Sequence, residues 1–332
     1  MIGKSQGRPF DAVLLIAFGG PQGFDDIRPF LANVLKGRQV PRKRLDAVAH
    51  HYEMFGGVSP ITAITQRQAE GLRVRLAAAG TPVPVYLGMR NWHPFLADTL
   101  IEMSRAGVRR AIGFIMAAQA SYSSCQQYRE NVAEARAVVR ARGLADIDVT
   151  YVSAWYAHEG FIAANAAHVR KAFERLPAQL RPAARLIFTA HSIPLPMAEQ
   201  SQYREQLRES SRLVAERVGV NDWAVVYQSR SGRPEDPWVG PDISDFFRAV
   251  KGEGVAAVVL CPIGFVCDHI EVLYDLDREA ADVARGLDIA LTRADAVNDD
   301  PLFLDMMADV ALATIHRYAT GWPLTLIGSG VQ

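Results

Sequence analysis

Short apolar runs alternate with longer stretches of helical periodicity along most of this chain. The first run, Ala12-Val13-Leu14-Leu15-Ile16-Ala17-Phe18, contains no polar residue and is cut by Gly19-Gly20-Pro21. Such a run reads as a strand buried on both faces. Helical patterns follow around 24–36, 43–54 and 61–79, then a strand at 83–89, a helix to Ala106 and a strand at 111–116. A long helix to about Arg142, a linker at 143–146 and a strand at 148–152 come next. The plan then repeats: helix 160–175, strand 185–190, helix 199–218, strand 224–227, helix 242–251, strand 255–260, and a last helix near 300–318 before a weakly patterned tail. Residues 105–111 and 251–257, each leading into a strand, echo one another faintly. The alternation predicts two doubly wound α/β domains facing one cleft, 1–146 and 147–332, each with its own core.

One stretch interrupts this plan with charge. After the strand at 255–260, Pro262 and Gly264 end the sheet pattern and a helix pattern runs on through Glu279. At 100° per residue Asp268, Glu271, Asp275 and Glu279 share a narrow stripe, while Ile270, Leu273, Leu276 and Ala280 fall opposite. Like charges at that spacing repel by about 0.2–0.5 kcal/mol per pair, so the stripe is costly unless cations visit it. An acidic, solvated helix start explains the stripe equally well by itself. Its place beyond a strand end favours a ligand site, and makes the helix a candidate metal path. His269 adds a ligand type off the stripe.

Composition narrows the class. Lys+Arg and Asp+Glu number 36 each, which removes the global electrostatic case for nucleic acid or an anionic membrane. No apolar run approaches the roughly 18 residues of a membrane span. The polar start, Met1 to Pro9, lacks the core of a signal peptide, so a cytoplasmic protein is expected. Cys125, Cys261 and Cys267 form no CxxC or CxxH pair and no disulfide framework. Phe18-Gly19-Gly20-Pro21 is not a phosphate loop, since no Lys-Ser/Thr follows it. Ser59, in a glycine-hinged loop before a helix, reads first as a cap.

His191 ends a second buried run and is followed by Ser192 and Pro194, which turns it toward the cleft. A histidine and a glutamate (Glu271) at two strand ends of one domain could handle protons and a divalent metal, Fe²⁺, Zn²⁺ or Co²⁺. At this point the residues resemble a family. Leu186-Ile187-Phe188-Thr189-Ala190-His191-Ser192-Ile193-Pro194 is similar to the histidine motif of the ferrochelatases. Gly264-Phe265-Val266-Cys267-Asp268-His269-Ile270-Glu271-Val272-Leu273-Tyr274-Asp275 is similar to their glutamate motif. Phe18-Gly19-Gly20-Pro21, Gly56-Gly57-Val58-Ser59-Pro60, Gly88-Met89-Arg90-Asn91-Trp92-His93-Pro94 and Gln228-Ser229-Arg230-Ser231-Gly232 also match, in order, over about residues 12–315. The segments at Phe18, Ser59 and Trp92 look most like the actinobacterial, coproporphyrin-using branch.

The resemblance implies an α/β fold of two Rossmann-like, chelatase-like domains with a porphyrin cleft between them. It implies insertion of Fe²⁺, a substrate rather than a cofactor, into coproporphyrin III in haem formation. His191 and Glu271 would flank the bent macrocycle, one on each face, with Asp275 and Glu279 extending a path for metal or protons. Ser59 and Tyr128 would meet propionates, and Tyr52 matches a substrate-side tyrosine in the same region. Phe18 stands where some bacterial members have an axial tyrosine and would pack on the ring. His51 and Leu35 replace arginines of other members. Some members of this branch hold a [2Fe–2S] cluster through a mid-chain cysteine and a C-terminal trio. Cys125 matches the first, but no cysteine follows His316, so no cluster is expected. A monomer is expected, with haem-pathway enzymes as candidate partners. Protoporphyrin IX as substrate, a cobaltochelatase and a non-catalytic tetrapyrrole carrier remain open at this point.

Overall fold

The computed structural model describes residues 9–37, 40–231, 233 and 235–320. Residues 1–8, 38–39, Gly232, Pro234 and the tail beyond Thr320 lie outside them. In the first lobe β1 (Ala12–Ala17) precedes α1 (Phe24–Val34), α2 (Arg42–Met54) and α3 (Ile61–Ala78). Next come β2 (Val85–Met89), α4 (Leu96–Arg105) and β3 (Arg110–Ile115). A turn of π-helix (Tyr122–Gln126), α5 (Gln127–Ala141) and β4 (Asp148–Tyr151) complete the lobe. All pairings are parallel and the order is β2-β1-β3-β4.

The second lobe opens with α6 (Glu159–Arg175), β5 (Arg185–His191), α7 (Leu195–Glu199), α8 (Tyr203–Val218), β6 (Trp223–Gln228) and α9 (Ile243–Gly252). It continues through β7 (Ala257–Cys261), α10 (Ile270–Tyr274), a π-helical segment (Asp275–Ala280) and α11 (Ala281–Gly286), and ends with β8 (Ala290–Arg293) and α12 (Pro301–Ala319). The order β6-β5-β7-β8 repeats that of the first sheet. These are the two doubly wound α/β lobes expected, and the echo at 105–111 and 251–257 marks the equivalent strands β3 and β7.

Three expectations need correction. The strand after Asp146 pairs with β3, so the first lobe runs through Tyr151 and a boundary at 146/147 would cut β4 from its sheet. The helix expected at 199–218 begins at Tyr203 as α8, and Glu199 instead ends a separate short helix, α7. Each lobe has a cluster of its own, but a third and larger one joins the two. Val13, Leu15 and Ala17 face a cluster that continues through Leu72 on α3, Phe161 on α6, Leu207 on α8 and Phe303 on α12 to Leu186 and Phe188 of β5. Ala12, Leu14 and Ile16 point the other way, onto α4 and α5, as the two-residue period of a strand requires. Helix α12, started by Asp300 accepting from the Leu302 N–H at 2.8 Å with Pro301 in its first turn, packs on both lobes. No described helix is long and apolar enough to cross a membrane.

Candidate active site

Both sheets direct the carboxyl ends of their central strands toward the gap between the lobes. His191 is the last residue of β5. Its Nδ1 contacts the Ser192 carbonyl oxygen, and because a carbonyl only accepts, Nδ1 carries a proton, which in the neutral ring leaves the lone pair on Nε2. Tyr203 fixes the backbone there by donating its hydroxyl to the His191 carbonyl at 2.9 Å. Glu271 follows β7, the strand that pairs with β5 in the same sheet. The loop after β7 passes directly under the end of β5, and a Cβ on Gly264 would lie 2.5 Å from Ala190 Cβ and 2.7 Å from its Cα. Only glycine permits that approach, and it carries α10 to the end of β5.

The result is His191 Nε2 and Glu271 Oε2 at 3.8 Å, with side chains 35% and 44% exposed. A macrocycle between them would hold these atoms about 7 Å apart, twice a ~3.5 Å contact. The expectation that they face opposite faces is therefore replaced: here they stand side by side.

The acidic stripe is shortened and bent. Asp268 lies in the loop before α10, held by Arg293 at 2.9 Å and Asn298 at 2.7 Å, and does not belong to it. His269 is the cap of α10, accepting the Val272 N–H through Nδ1 at 3.3 Å, and burial lowers its pKa. Val272 is fully buried while Leu273 is half-buried, which corrects the expected apolar face. Asp275 opens the π-helical segment, takes the Ser229 hydroxyl and lies 3.5 Å from Gln228 Nε2. Burial pushes its carboxyl up to about 7, opposed by the Ser229 hydrogen bond and reinforced by Glu271 and Glu279. Glu279 is exposed and bonded to the Tyr274 hydroxyl. Gln228 also donates to the Glu271 carbonyl at 3.3 Å.

The first lobe supplies an aromatic wall. Phe18 leaves β1 half-buried, 6.2 Å from the Phe30 ring, with the Arg90 guanidinium 5.9 Å from its centroid. Tyr128, 6% exposed, lies under Arg90 at 4.4 Å; burial raises its pKa and Arg90 opposes the shift. Tyr52 packs edge-on to Phe30 at 5.6 Å, and its pKa is raised by burial first and then by the charges of Glu271 and Asp275. Ser59 is buried against Gly20, where a Cβ would sit 2.6 Å from its own. It caps nothing, since Pro60 precedes α3 without a side-chain cap. His51 stacks on Tyr274 at 3.5 Å, and Arg44 Nη2 donates to the Arg230 carbonyl at 2.9 Å, so α2 touches the second lobe at two points. Leu35 is the half-buried C-cap of α1.

Arg90, Tyr274 and Arg293 were not singled out from the sequence. A cation immediately after a buried strand was the available signal for Arg90. Among the described residues no group of three His, Cys, Asp or Glu side chains is placed to hold a metal. The sequence holds three cysteines, one short of the four thiolates of an all-cysteine [2Fe–2S] cluster. Cys125 sits half-buried on the first π-helical turn, while burial raises the thiols of Cys261 and Cys267, the latter to about 12.

Comparison with known proteins supplies the family. A model of the family described as ferrochelatase matches residues 10–315. The chain is 46% identical over 301 residues to a ferrochelatase of Rhodopirellula baltica, covering 90% of this chain and 84% of that protein. It is 46% identical over 308 residues to the coproporphyrin III ferrochelatase of Nocardia farcinica, covering 90% and 87%. The solved structure of SirB from Bacillus subtilis with Fe³⁺ shares the fold, at a TM-score of 0.57 and 11% identity over 94% of this chain and 98% of that one. With the family model spanning residues 10–315 and relatives 46% identical over nine-tenths of the chain, this chain belongs to the ferrochelatase family.

Proposed function

We propose that this chain inserts Fe²⁺ into coproporphyrin III in haem formation, with His191 and Glu271 acting together from one face of the macrocycle. The observation that carries this reading is the 3.8 Å pair itself: the imidazole Nε2 of His191 beside the partly exposed carboxylate of Glu271. Metallation places Fe²⁺ in the ring and releases two pyrrole protons, so charge is conserved. Two adjacent bases on one face can ligate arriving iron and accept those protons in turn, which borderline Fe²⁺ tolerates. Asp275 and Glu279 continue the carboxylate line outward and offer hydrated iron or departing protons a path.

On the other side Phe18 packs on the ring, which suits an aromatic wall that binds without ligating iron. Tyr128, Tyr52 and Ser59 meet propionates, with Arg90 and Arg44 adding positive charge. The relatives named coproporphyrin III ferrochelatase support the tetracarboxylate over the dicarboxylate protoporphyrin IX.

The test is a rate comparison with the two porphyrins beside His191→Ala and Glu271→Gln. Coproporphyrin III should be metallated faster. Each substitution should lower kcat by roughly 10²–10⁴-fold, while quenching of porphyrin fluorescence shows binding retained. Full turnover in both variants would overturn the assignment.

A further inference from the structure

We propose that Arg293 is a positioning residue that sets Glu271 against His191, an inference that rests on the reading of that pair given above. Arg293 ends β8 with its side chain 12% exposed. Its Nη1 donates to Asp268 Oδ1 at 2.9 Å, and its Nε and Nη2 donate to Asp277 Oδ1 and Oδ2 at 2.6 and 2.9 Å. Asp268 precedes Glu271 by three residues and Asp277 follows it by six. One guanidinium thus grips both ends of the segment that presents the carboxylate.

Glu271 lies in the first turn of a helix that runs on from α10 through the π-helical segment into α11, and the regular α-helical ladder is broken at Asp275, after five residues. The π-helical segment, which contains Asp277, is a rare form that occurs mostly as a single turn inside an α-helix and often at functional sites. A planar fork matches a carboxylate at two points and so fixes direction as well as distance, which an ammonium group does not.

The hold reaches the other lobe. Asn298, at φ +45°, accepts the Asp268 N–H at 2.8 Å and donates to Asp268 Oδ2 at 2.7 Å. Its carbonyl accepts from Gln68 Nε2 at 2.7 Å, and the same amide donates to the Val266 carbonyl at 3.1 Å. Gln68, wholly buried on α3, therefore braces the loop that Arg293 grips. Arg175 bonds the Arg293 carbonyl and holds β8 in turn. Arg293 acts on the chemistry only through Glu271, and its loss should move turnover rather than porphyrin binding.

The experiment measures kcat and KM for Fe²⁺ and coproporphyrin III in Arg293→Lys, Arg293→Gln and Asp277→Asn, with wild type and Glu271→Gln alongside. Circular dichroism and Tm establish folding. Arg293→Lys keeps the charge without the fork, and Asp277→Asn leaves Arg293 paired with Asp268, so a fold survives in at least one arm. Expected is a fall in kcat of about tenfold in Arg293→Lys and Asp277→Asn, the scale of orienting residues behind a metal ligand. Porphyrin affinity by fluorescence quenching should stay within about twofold. Folded Arg293→Lys and Asp277→Asn with wild-type kcat would overturn the inference, as would equal losses in kcat and porphyrin affinity. An inactive wild type or a fully active Glu271→Gln would instead strike the metallation reading itself.

Discussion

The central strand of each lobe ends at the same cleft, yet β1 delivers Phe18 and β5 delivers His191. The next strand in each order, β3 and β7, leads through a loop into a helix containing a π-helical segment, Tyr122–Gln126 in one lobe and Asp275–Ala280 in the other. In the first lobe that helix brings Tyr128 beneath Arg90; in the second it brings Glu271 beside His191. The ties to the last strand are also equivalent but inverted in sign. Arg136 on α5 pairs with Asp146 and Asp148 at 3.0 Å, whereas Asp277 on the helix pairs with Arg293 on β8. One topology therefore carries an aromatic, cationic wall on one side and ionisable groups on the other, and the residue types at strand ends decide which is which.

The largest test of this division contrasts the two central strands. His191→Ala should lose turnover by roughly 10²-fold or more with porphyrin binding intact. Phe18→Ala should raise the porphyrin KM several-fold and leave kcat within about threefold. Equal effects in steady-state kinetics would abolish the contrast. A second test concerns the close approach that joins imidazole to carboxylate. Gly264→Ala should cost about 1–3 kcal/mol by forcing β5 and the loop apart. Gly252→Ala, where a Cβ meets nothing within 4 Å, should be neutral or slightly stabilising. Thermal unfolding of both variants decides.

The smallest effect probes the first lobe's tie. Arg136 beside Asp146, with help from Arg140 and the Ile147 N–H, lowers that carboxyl to about 2. A native pKa below the unfolded one stabilises above about pH 4, and the stabilisation is lost as pH falls toward 2. The Asp146 side chain is 32% exposed, so solvent screening reduces the contribution to about 1 kcal/mol. Asp146→Asn should lower stability by that amount at pH 7 and by nothing near pH 2. A constant difference across the range would show that the pair is not the cause.

Much of this arrangement is legible in the sequence. Strands such as Ala12–Ala17 and Ala257–Cys261 are continuous apolar runs because helices cover both faces of a parallel sheet. Periodicity reports which face is buried, so α3 and α12 were placed within about two residues of their ends. Edge strand β8 escaped notice because its four residues are all half-buried and carry no continuous apolar signal. The π-helical segments escaped as well, since a helix with one extra residue per turn is imposed by its surroundings rather than written in local periodicity.

The chain by itself determined which residues can do chemistry and at which strand end each lies, because burial and alternation are local properties of sequence. Tertiary structure alone decided that His191 and Glu271, 80 residues apart in number, meet at 3.8 Å rather than across a gap. It also removed Asp268 from the acidic line and gave it to Arg293. Those outcomes depend on a loop crossing under β5 at Gly264 and on charges paired across strands, and distances through space between remote segments have no periodic trace along a chain.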